Sequence, residues 1–499
     1  MKHINLFQLL CPIVILFSFV CVIYMLQYSV LIQHDNNIIF NRTFFEPEHG
    51  RFFSTFVSSL FAQRLPEFFK IHPCDFRIYA SIFKAFCVVL LCVLFSFSAF
   101  VFSKKKINEI FFSPSFIIIY LTVFLCLFNG NFYFADYFNR YLNVLENMVF
   151  FEYPMSMLTY IPFFCIIFYS VINKKMDHKH FICLIPLTFL VGLTIEMQNI
   201  PIMMSLTFIM IYLSVLRIKR RNIADFKKYI LIYLIFVVSF ICYYLHPADS
   251  QINYPNGFES YFKEDFAIFY KLFCNLFLYN IRQLLIPLSL IYILILFYTE
   301  NKNNTVKFVA FSVINILSLY IYLFSSFFMG EEFEKIFYFQ NEKWFLPVKL
   351  VLLFYLILAA GYFLYNNKII SKYASTVKII LCLTLLAFFH QNLVTEYFDN
   401  INKERSDLKA FREQMYKSEK YAMEQKSVTL CLPAKFEDLC LYYDSCYPHY
   451  FENVHPPLKV EKIIFTDDYK YGNIFTEEEL EKLRFTDLYK IHIDPYYEP

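Results

Sequence analysis

Long apolar runs separated by shorter polar segments set the pattern of this chain from its first residues. A helix needs about 20 apolar residues to cross about 30 Å of hydrocarbon. Runs of that kind fall near 5–31, 78–102, 111–128, 154–172, 181–196, 200–216, 229–245, 284–299, 308–328, 346–365 and 379–395. The pattern predicts an all-α polytopic membrane protein of about 11 transmembrane helices, spanning residues 1–395. The first run is too long for a signal-peptide core and has no small-residue cleavage site, so it reads as a retained anchor.

The connections alternate in charge. One set holds Lys104, Lys105 and Lys106; Lys174, Lys175 and Lys179; Arg217, Lys219, Arg220, Arg221, Lys227 and Lys228; Lys302 and Lys307; and Lys368, Lys372 and Lys378. Against them stand only Glu109, Asp177, Asp225 and Glu300. The other set is longer and carries most of the loop acids. Basic residues stay on the cytoplasmic side. The N-terminus is therefore expected in the cytoplasm and, with an odd number of spans, the C-terminus outside it. Residues 396–499 then form a small extracytoplasmic α/β tail. A charged helical stretch (Asn402 to Gln425) opens it, and a short apolar strand from Ser427 to Pro433 follows. A late helix is marked by the capping box Thr476 to Glu479, with Phe475 and Leu480 as its staple.

Composition agrees with this layout. The chain is 58% apolar and 17% charged, where a soluble domain is about 45–50% apolar. A net charge of +3, with no basic run interleaved with aromatics, excludes a nucleic-acid partner. The 65 Phe and 40 Tyr fill lipid-facing positions and point to no particular chemistry. Gly is scarce, and only Gly192 and Gly361 fall inside apolar runs, which argues against a rocking carrier. Most cysteines sit in the apolar runs as small hydrophobes. Cys440 and Cys446 could close a short disulfide in the tail.

Candidate chemistry gathers in the outer connections. In the first, Asn41 to Arg51 forms a dense polar cluster containing Glu46, Glu48, His49 and Arg51. It runs into Phe52, Phe53, Phe56, Val57, Leu60 and Phe61, whose spacing predicts an amphipathic helix lying flat in the membrane interface. A carboxylate held there can act as general base, and Arg51 can pair with a phosphate; each also reads as an ordinary solvated loop residue. Glu152 and Tyr153 precede Pro154 at the mouth of the fourth run, where a dipole-favoured acid and an interfacial tyrosine are equally ordinary. Glu196 closes an apolar stretch at the membrane edge, where carboxylates tend to face a cavity or a partner. His246 and Asp249 open a later loop and could bind a metal or sugar hydroxyls. Lys343, in the last outer loop, could neutralise a phosphate. Lys84 and Lys349 are expected to snorkel to the interface from outer span ends. No Walker loop, GxGxxG, GxSxG or HExxH occurs, and no zinc-type cysteine spacing.

This layout resembles the GT-C superfamily of polytopic membrane glycosyltransferases, in its poorly characterised bacterial multi-span branch. The matching pieces are Glu46 to Arg51, the helix from Phe52 to Leu65, Glu152 to Pro154, Glu196 and the outer tail. The acids form Glu-x-Glu where Asp-Asp or Asp-Glu is more usual, and His246 to Gln251 lacks the Pro-Gly-Asn…Arg pattern of the related branch. The resemblance implies an integral protein of a bacterial inner (plasma) membrane. Its reaction would move a sugar from a polyprenyl-phosphate carrier to a glycan or lipid acceptor outside the cytoplasm. Glu48 or Glu46 would be the base, Arg51 a phosphate partner and Glu196 a sugar or acceptor ligand. Its partners would be membrane lipid, the lipid-linked sugar donor and the acceptor; a divalent metal is compatible with such chemistry, with no cofactor required. Three rival readings remain, one of them a membrane scaffold with no chemistry. A lipid-linked glycan polymerase or ligase usually has Arg-rich outer loops, and a transporter or flippase wants deep charges and broken helices.

Overall fold

The turn before residue 114 shows how an apolar run acquires a defined start. The Phe116 amide donates to the Ser113 hydroxyl at 3.2 Å, and Pro114 takes the first helical position, where no amide proton is needed. Pro154 opens another helix in the same way. The structure is a computed structural model. It describes residues 6–26, 56–57, 60–69, 76–103, 105–127, 154–173, 176–194, 196–218, 226–244, 279–299, 301–328, 346–366, 428–432, 460–465 and 489–490.

The helices are α1 (Leu6–Leu26), α2 (Leu65–Phe69), α3 (Phe76–Ser98), α4 (Ile107–Phe111), α5 (Pro114–Leu127), α6 (Pro154–Asn173), α7 (His178–Gly192), α8 (Glu196–Ile218), α9 (Phe226–Tyr244), α10 (Tyr279–Tyr298), α11 (Lys302–Phe328) and α12 (Leu346–Asn366). A π-helical turn, Leu60–Arg64, leads into α2. Every apolar run except 379–395, which lies outside the described residues, holds one of these helices. Among the described residues, two stretches, Met155–Asn173 and Val348–Asn366, are long and apolar enough to cross a membrane. Shorter apolar stretches are Gln8–Ile23, Ile82–Ser98, Pro114–Leu127, His178–Gly192, Pro201–Val215 and Leu284–Tyr298.

Polar residues inside these helices largely serve themselves. The hydroxyls of Ser18, Ser96, Thr122, Thr188 and Ser312 each donate to the carbonyl one turn back, so an apolar surround leaves them satisfied. Pro12, Pro162, Pro186 and Pro287 lie inside α1, α6, α7 and α10 without ending them. Broken helices of the transporter kind are absent at these positions.

α12 is the centre of the bundle. Every residue from Val348 to Ala359 is buried, as expected of a helix that is apolar all round. It packs on α3, α6, α10 and α11, while α1 and α5 flank α3. A second group, α7, α8 and α9, joins through α6 and α11. The outer faces carry bare apolar rows: Leu9, Ile13, Leu16 and Val20 on α1, and Leu231, Leu234, Val238 and Ile241 on α9. Such rows are uncommon on a protein bathed in water.

Contacts also fix which helix ends lie together. Thr299, just past α10, meets Thr305 at the start of α11 with hydroxyls 2.6 Å apart, and the Tyr362 hydroxyl lies 3.3 Å from that of Thr305. The Phe308 and Tyr362 rings stack at 4.4 Å, with Phe102 edge-on to Tyr362 at 5.0 Å and Phe168 at 5.6 Å from Phe308. One end of the bundle, the closed end, thus gathers the C-terminal ends of α3, α6, α10 and α12. The Lys228 ammonium donates to the Met176 carbonyl at 2.6 Å, which brings the starts of α7 and α9 there too. Exposed Lys105, Lys179, Lys227 and Lys302 all sit at this end.

In the tail, β1 (Val428–Leu432), β2 (Val460–Phe465) and β3 (Tyr489–Lys490) form a sheet in that order. β1 runs parallel to β2, and β3 antiparallel to it. The strand expected from Ser427 to Pro433 is β1. A parallel pair needs a crossover of about a dozen residues or more, and 433–459 supply it. The helices expected at 402–425 and after Phe475 lie outside the described residues.

Candidate functional site

Most of the residues singled out from the sequence fall on connections outside the described residues. These are Glu46, Glu48, His49, Arg51, Glu152, Tyr153, His246, Asp249 and Lys343. The neighbouring helix ends are nevertheless placed. The starts of α6, α8 and α12 and the end of α9, which adjoin Glu152–Tyr153, Glu196, His246–Asp249 and Lys343, all lie opposite the closed end.

Glu196 is the first residue of α8; its side chain lies outside the described residues. The turn that carries it is tied down by Asn199, which is fully buried. The Asn199 amide donates to the carbonyls of Gly192 at 3.1 Å and Thr194 at 2.9 Å. Its oxygen lies 3.0 Å from the Thr194 hydroxyl, which also reaches the Val191 carbonyl at 2.7 Å. One side chain on α8 therefore satisfies carbonyls that the end of α7 leaves open. A tight, internally bonded turn holds the α8 N-terminus in place, and its dipole favours the acid there.

Two lysines change the picture most. Lys84 on α3 and Lys349 on α12 are 3% and 2% exposed, which corrects the expectation that they snorkel outward. Their neighbours explain the difference: α12 is enclosed, α3 exposes Ile82 and Phe86 on another face than Lys84, and a side chain near a span end reaches the interface only if its own face is outermost. The backbone of Ala99 lies against Gly361, so α3 and α12 run side by side away from the closed end. At 1.5 Å per residue both lysines stand roughly 20 Å from that joint. They therefore share a level in the bundle, at the end from which the acid-bearing connections leave. A buried ammonium needs an anion or several oxygen ligands around it. The apolar neighbours Phe83 and Ala85 point to other faces of the helix and carried no signal of this burial.

The segment after Arg51 also departs from expectation. It is helical at 56–57 and 60–69, but its apolar face is divided. Val57 and Phe61 are buried, while Phe56, Phe68 and Phe69 are exposed. Phe61 packs between Tyr79 at 5.3 Å and Phe83 at 4.8 Å on α3. The segment is thus docked on the bundle through Val57 and Phe61, with only part of its apolar face turned outward. In the π register the partner of the Phe61 carbonyl is residue 66, and Pro66 has no amide proton to give. The Tyr79 hydroxyl donates to that carbonyl instead, at 2.9 Å. Tyr79→Phe keeps the ring stack and removes this bond, at a cost of about 1 kcal/mol. Chymotrypsin should then cleave faster after exposed Phe68 and Phe69; an unchanged rate would show that the bond does not restrain the segment.

Among the described residues no group of three or more His, Cys, Asp and Glu is placed to hold a metal ion. Cys11, Cys21, Cys87, Cys92, Cys126, Cys165, Cys183 and Cys242 are free thiols. No protein-family model, curated protein or solved structure matches the chain.

Proposed function

We propose that the chain is a polytopic membrane glycosyltransferase that moves a sugar from a polyprenyl-phosphate carrier to a glycan or lipid acceptor. In this reading the helices span the bilayer, about 11 of them. The closed end with its exposed lysines is cytoplasmic. The opposite end is the working face, and residues 396–499 form an outer domain. The bare apolar rows on α1 and α9 support lipid as the surround.

One observation carries the chemistry. Lys84 and Lys349 are buried at one level, at the end that receives the acidic connections. A lipid-linked sugar presents its phosphate just inside the membrane surface, and buried ammonium groups there stabilise the departing anion more strongly than solvated ones would. Glu46 or Glu48 then takes the acceptor hydroxyl's proton. The new bond joins the acceptor oxygen to the sugar's anomeric carbon, and the bond from that carbon to the phosphate oxygen breaks. Arg51, His49, Glu152, Tyr153, Glu196, His246, Asp249 and Lys343 complete the binding face.

The test is sugar transfer by purified protein in proteoliposomes, with a labelled polyprenyl-phosphate sugar. Glu46→Ala with Glu48→Ala should lower transfer at least about 100-fold, the usual weight of a general base, with membrane insertion intact. Lys84→Gln or Lys349→Gln should weaken carrier binding by about 10-fold or more. Full transfer in the double glutamate variant would remove the proposed base. Carrier translocation with no sugar transferred, in the parent protein, would favour the flippase reading.

A further inference from the structure

α7 and α9 pack side by side and run in the same direction, away from the closed end. The Lys228 ammonium joins their starts through the Met176 carbonyl at 2.6 Å. Further along, a Cβ on Gly192 would meet the Ser239 side chain. Gly192 and Ser239 therefore mark the line of contact on each helix. With 3.6 residues per turn, Ile182 and Phe189 lie about 60–80° to one side of that line on α7. Leu231 and Val238 lie about 80–100° to the opposite hand on α9. On helices that run the same way, opposite hands put both rows on one side of the pair. All four residues are 43–56% exposed, so the rows flank an apolar groove open to the surround.

The foot of this groove is cationic. Lys179 precedes Ile182 by three residues and Lys227 precedes Leu231 by four, so each stands one turn below its apolar row. Both are exposed, as is His178. Counted back from Gly192, His178 falls about 40° from the contact line, on the groove side. The surrounding charge has the same sign: residues 174–179 and 217–228 hold nine Lys and Arg against two Asp. From Lys179 to Phe189 and from Lys227 to Val238 the rows rise roughly 15 Å, half the thickness of a hydrocarbon core.

We propose that this groove seats an anionic phospholipid from the leaflet at the closed end. Lys179, Lys227 and the His178 ring N–H hold its phosphate, and its acyl chains lie along the rows on α7 and α9. The site rests on the membrane placement of the helices in the reading above, and not on sugar transfer. Charge selects the occupant. A zwitterionic lipid brings a phosphate already neutralised by its own ammonium, whereas an anionic lipid brings a full negative charge, and each lysine near a membrane surface favours such a lipid severalfold. Depth agrees with charge, because the rows are as long as one leaflet is deep. The lysine stems continue the apolar rows while their ammonium groups reach the headgroup level.

Native mass spectrometry and thermal unfolding of the full chain from nanodiscs test this, with dioleoylphosphatidylglycerol as the anionic probe and dioleoylphosphatidylcholine as the neutral one. The chain should retain phosphatidylglycerol about 10-fold more strongly and melt at a higher temperature with it. Lys179→Gln with Lys227→Gln should abolish that preference. Lys105→Gln with Lys106→Gln removes equal charge from exposed positions at the same end and should leave it intact. Equal retention of the two lipids would overturn the proposal. So would equal losses in the two double variants, which mark diffuse attraction to the whole end. Glycerol phosphate alone should not raise the melting temperature; a rise equal to that with phosphatidylglycerol would make the ligand a free phosphate and overturn the lipid. A chain that does not enter the bilayer overturns this site together with the membrane placement. Loss of the sugar-transfer reading, measured separately in proteoliposomes, leaves the lipid preference standing.

Discussion

Gly361→Ala is expected to destabilise the protein by about 2 kcal/mol, although alanine is the better helix former. A Cβ at 361 would meet the backbone of Ala99, with its carbonyl carbon at 2.7 Å, its Cα at 2.8 Å and its oxygen nearer still. The propensity gain is about 1 kcal/mol, whereas overpacking costs about 1–3 kcal/mol and more when backbone must move. Here backbone must move, and it is held. The Phe100 amide donates to Phe97 at 2.9 Å and the Ser103 amide to Phe100 at 2.9 Å, while the Ser98 hydroxyl bonds the Phe95 carbonyl at 2.6 Å. On the other side, Phe102 and Phe308 wedge the Tyr362 ring. Gly192 makes an instructive contrast. A Cβ there meets the Ser239 side chain first and backbone only at 3.5 Å, the Phe236 oxygen. Gly192→Ala should therefore be rescued by Ser239→Gly, and Gly361→Ala by nothing at position 99, because the obstacle there is main chain. Thermal unfolding in detergent measures both. A Gly361→Ala protein as stable as the parent, or one restored by Ala99→Gly, would refute the close crossing.

The helices were legible because length and hydropathy are local properties. The run from Pro154 to Ile172 reads the same in sequence and in structure, down to its starting proline. Gly192 and Gly361 were noticed as rare residues in apolar runs. What they do was hidden, since a close crossing depends on Ser239 and Ala99, far away along the chain. Lys84 and Lys349 show the same limit. The sequence locates them along their helices but does not say which helices are innermost, and that decides between snorkelling and burial. The divided face of the segment after Arg51 was half readable: Pro66, five residues past Phe61, predicts a disturbed turn, but only the fold brings Tyr79 to the freed carbonyl. Of the acids, aromatics and cations singled out in the outer connections, Glu196 alone is placed, by its backbone. The others lie on long connections outside the described residues, where local pattern says least.

Asn199→Leu should cost about 2–4 kcal/mol, as expected when two buried carbonyls lose a side-chain donor. The substitution keeps the number of side-chain heavy atoms but puts a bulkier branched group in place of the flat amide, so overpacking adds to the lost bonds. What is lost is the amide that donates to Gly192 and Thr194, where Gly192, Thr194 and Asn199 are all buried. Asn199→Asp separates this account from a purely steric one. It has the same shape, keeps the oxygen near the Thr194 hydroxyl, and replaces the donor with an oxygen aimed at two carbonyl oxygens. It should be at least as damaging as leucine. Thr194→Val, which removes one hydroxyl and leaves both amide bonds in place, should cost only about 1 kcal/mol. The ranking matters for function as well as stability, because Asn199 sits one turn inside the α8 N-terminus that carries Glu196. Under the transferase reading, Asn199→Leu protein that still folds should lose sugar transfer along with stability, while Thr194→Val retains most of it. Hydrogen exchange across residues 191–200 reports the turn itself: exchange should quicken in both Asn199 variants and barely change in Thr194→Val. An Asn199→Asp protein with parental stability and exchange would mean that the amide's two donated bonds do not hold the turn.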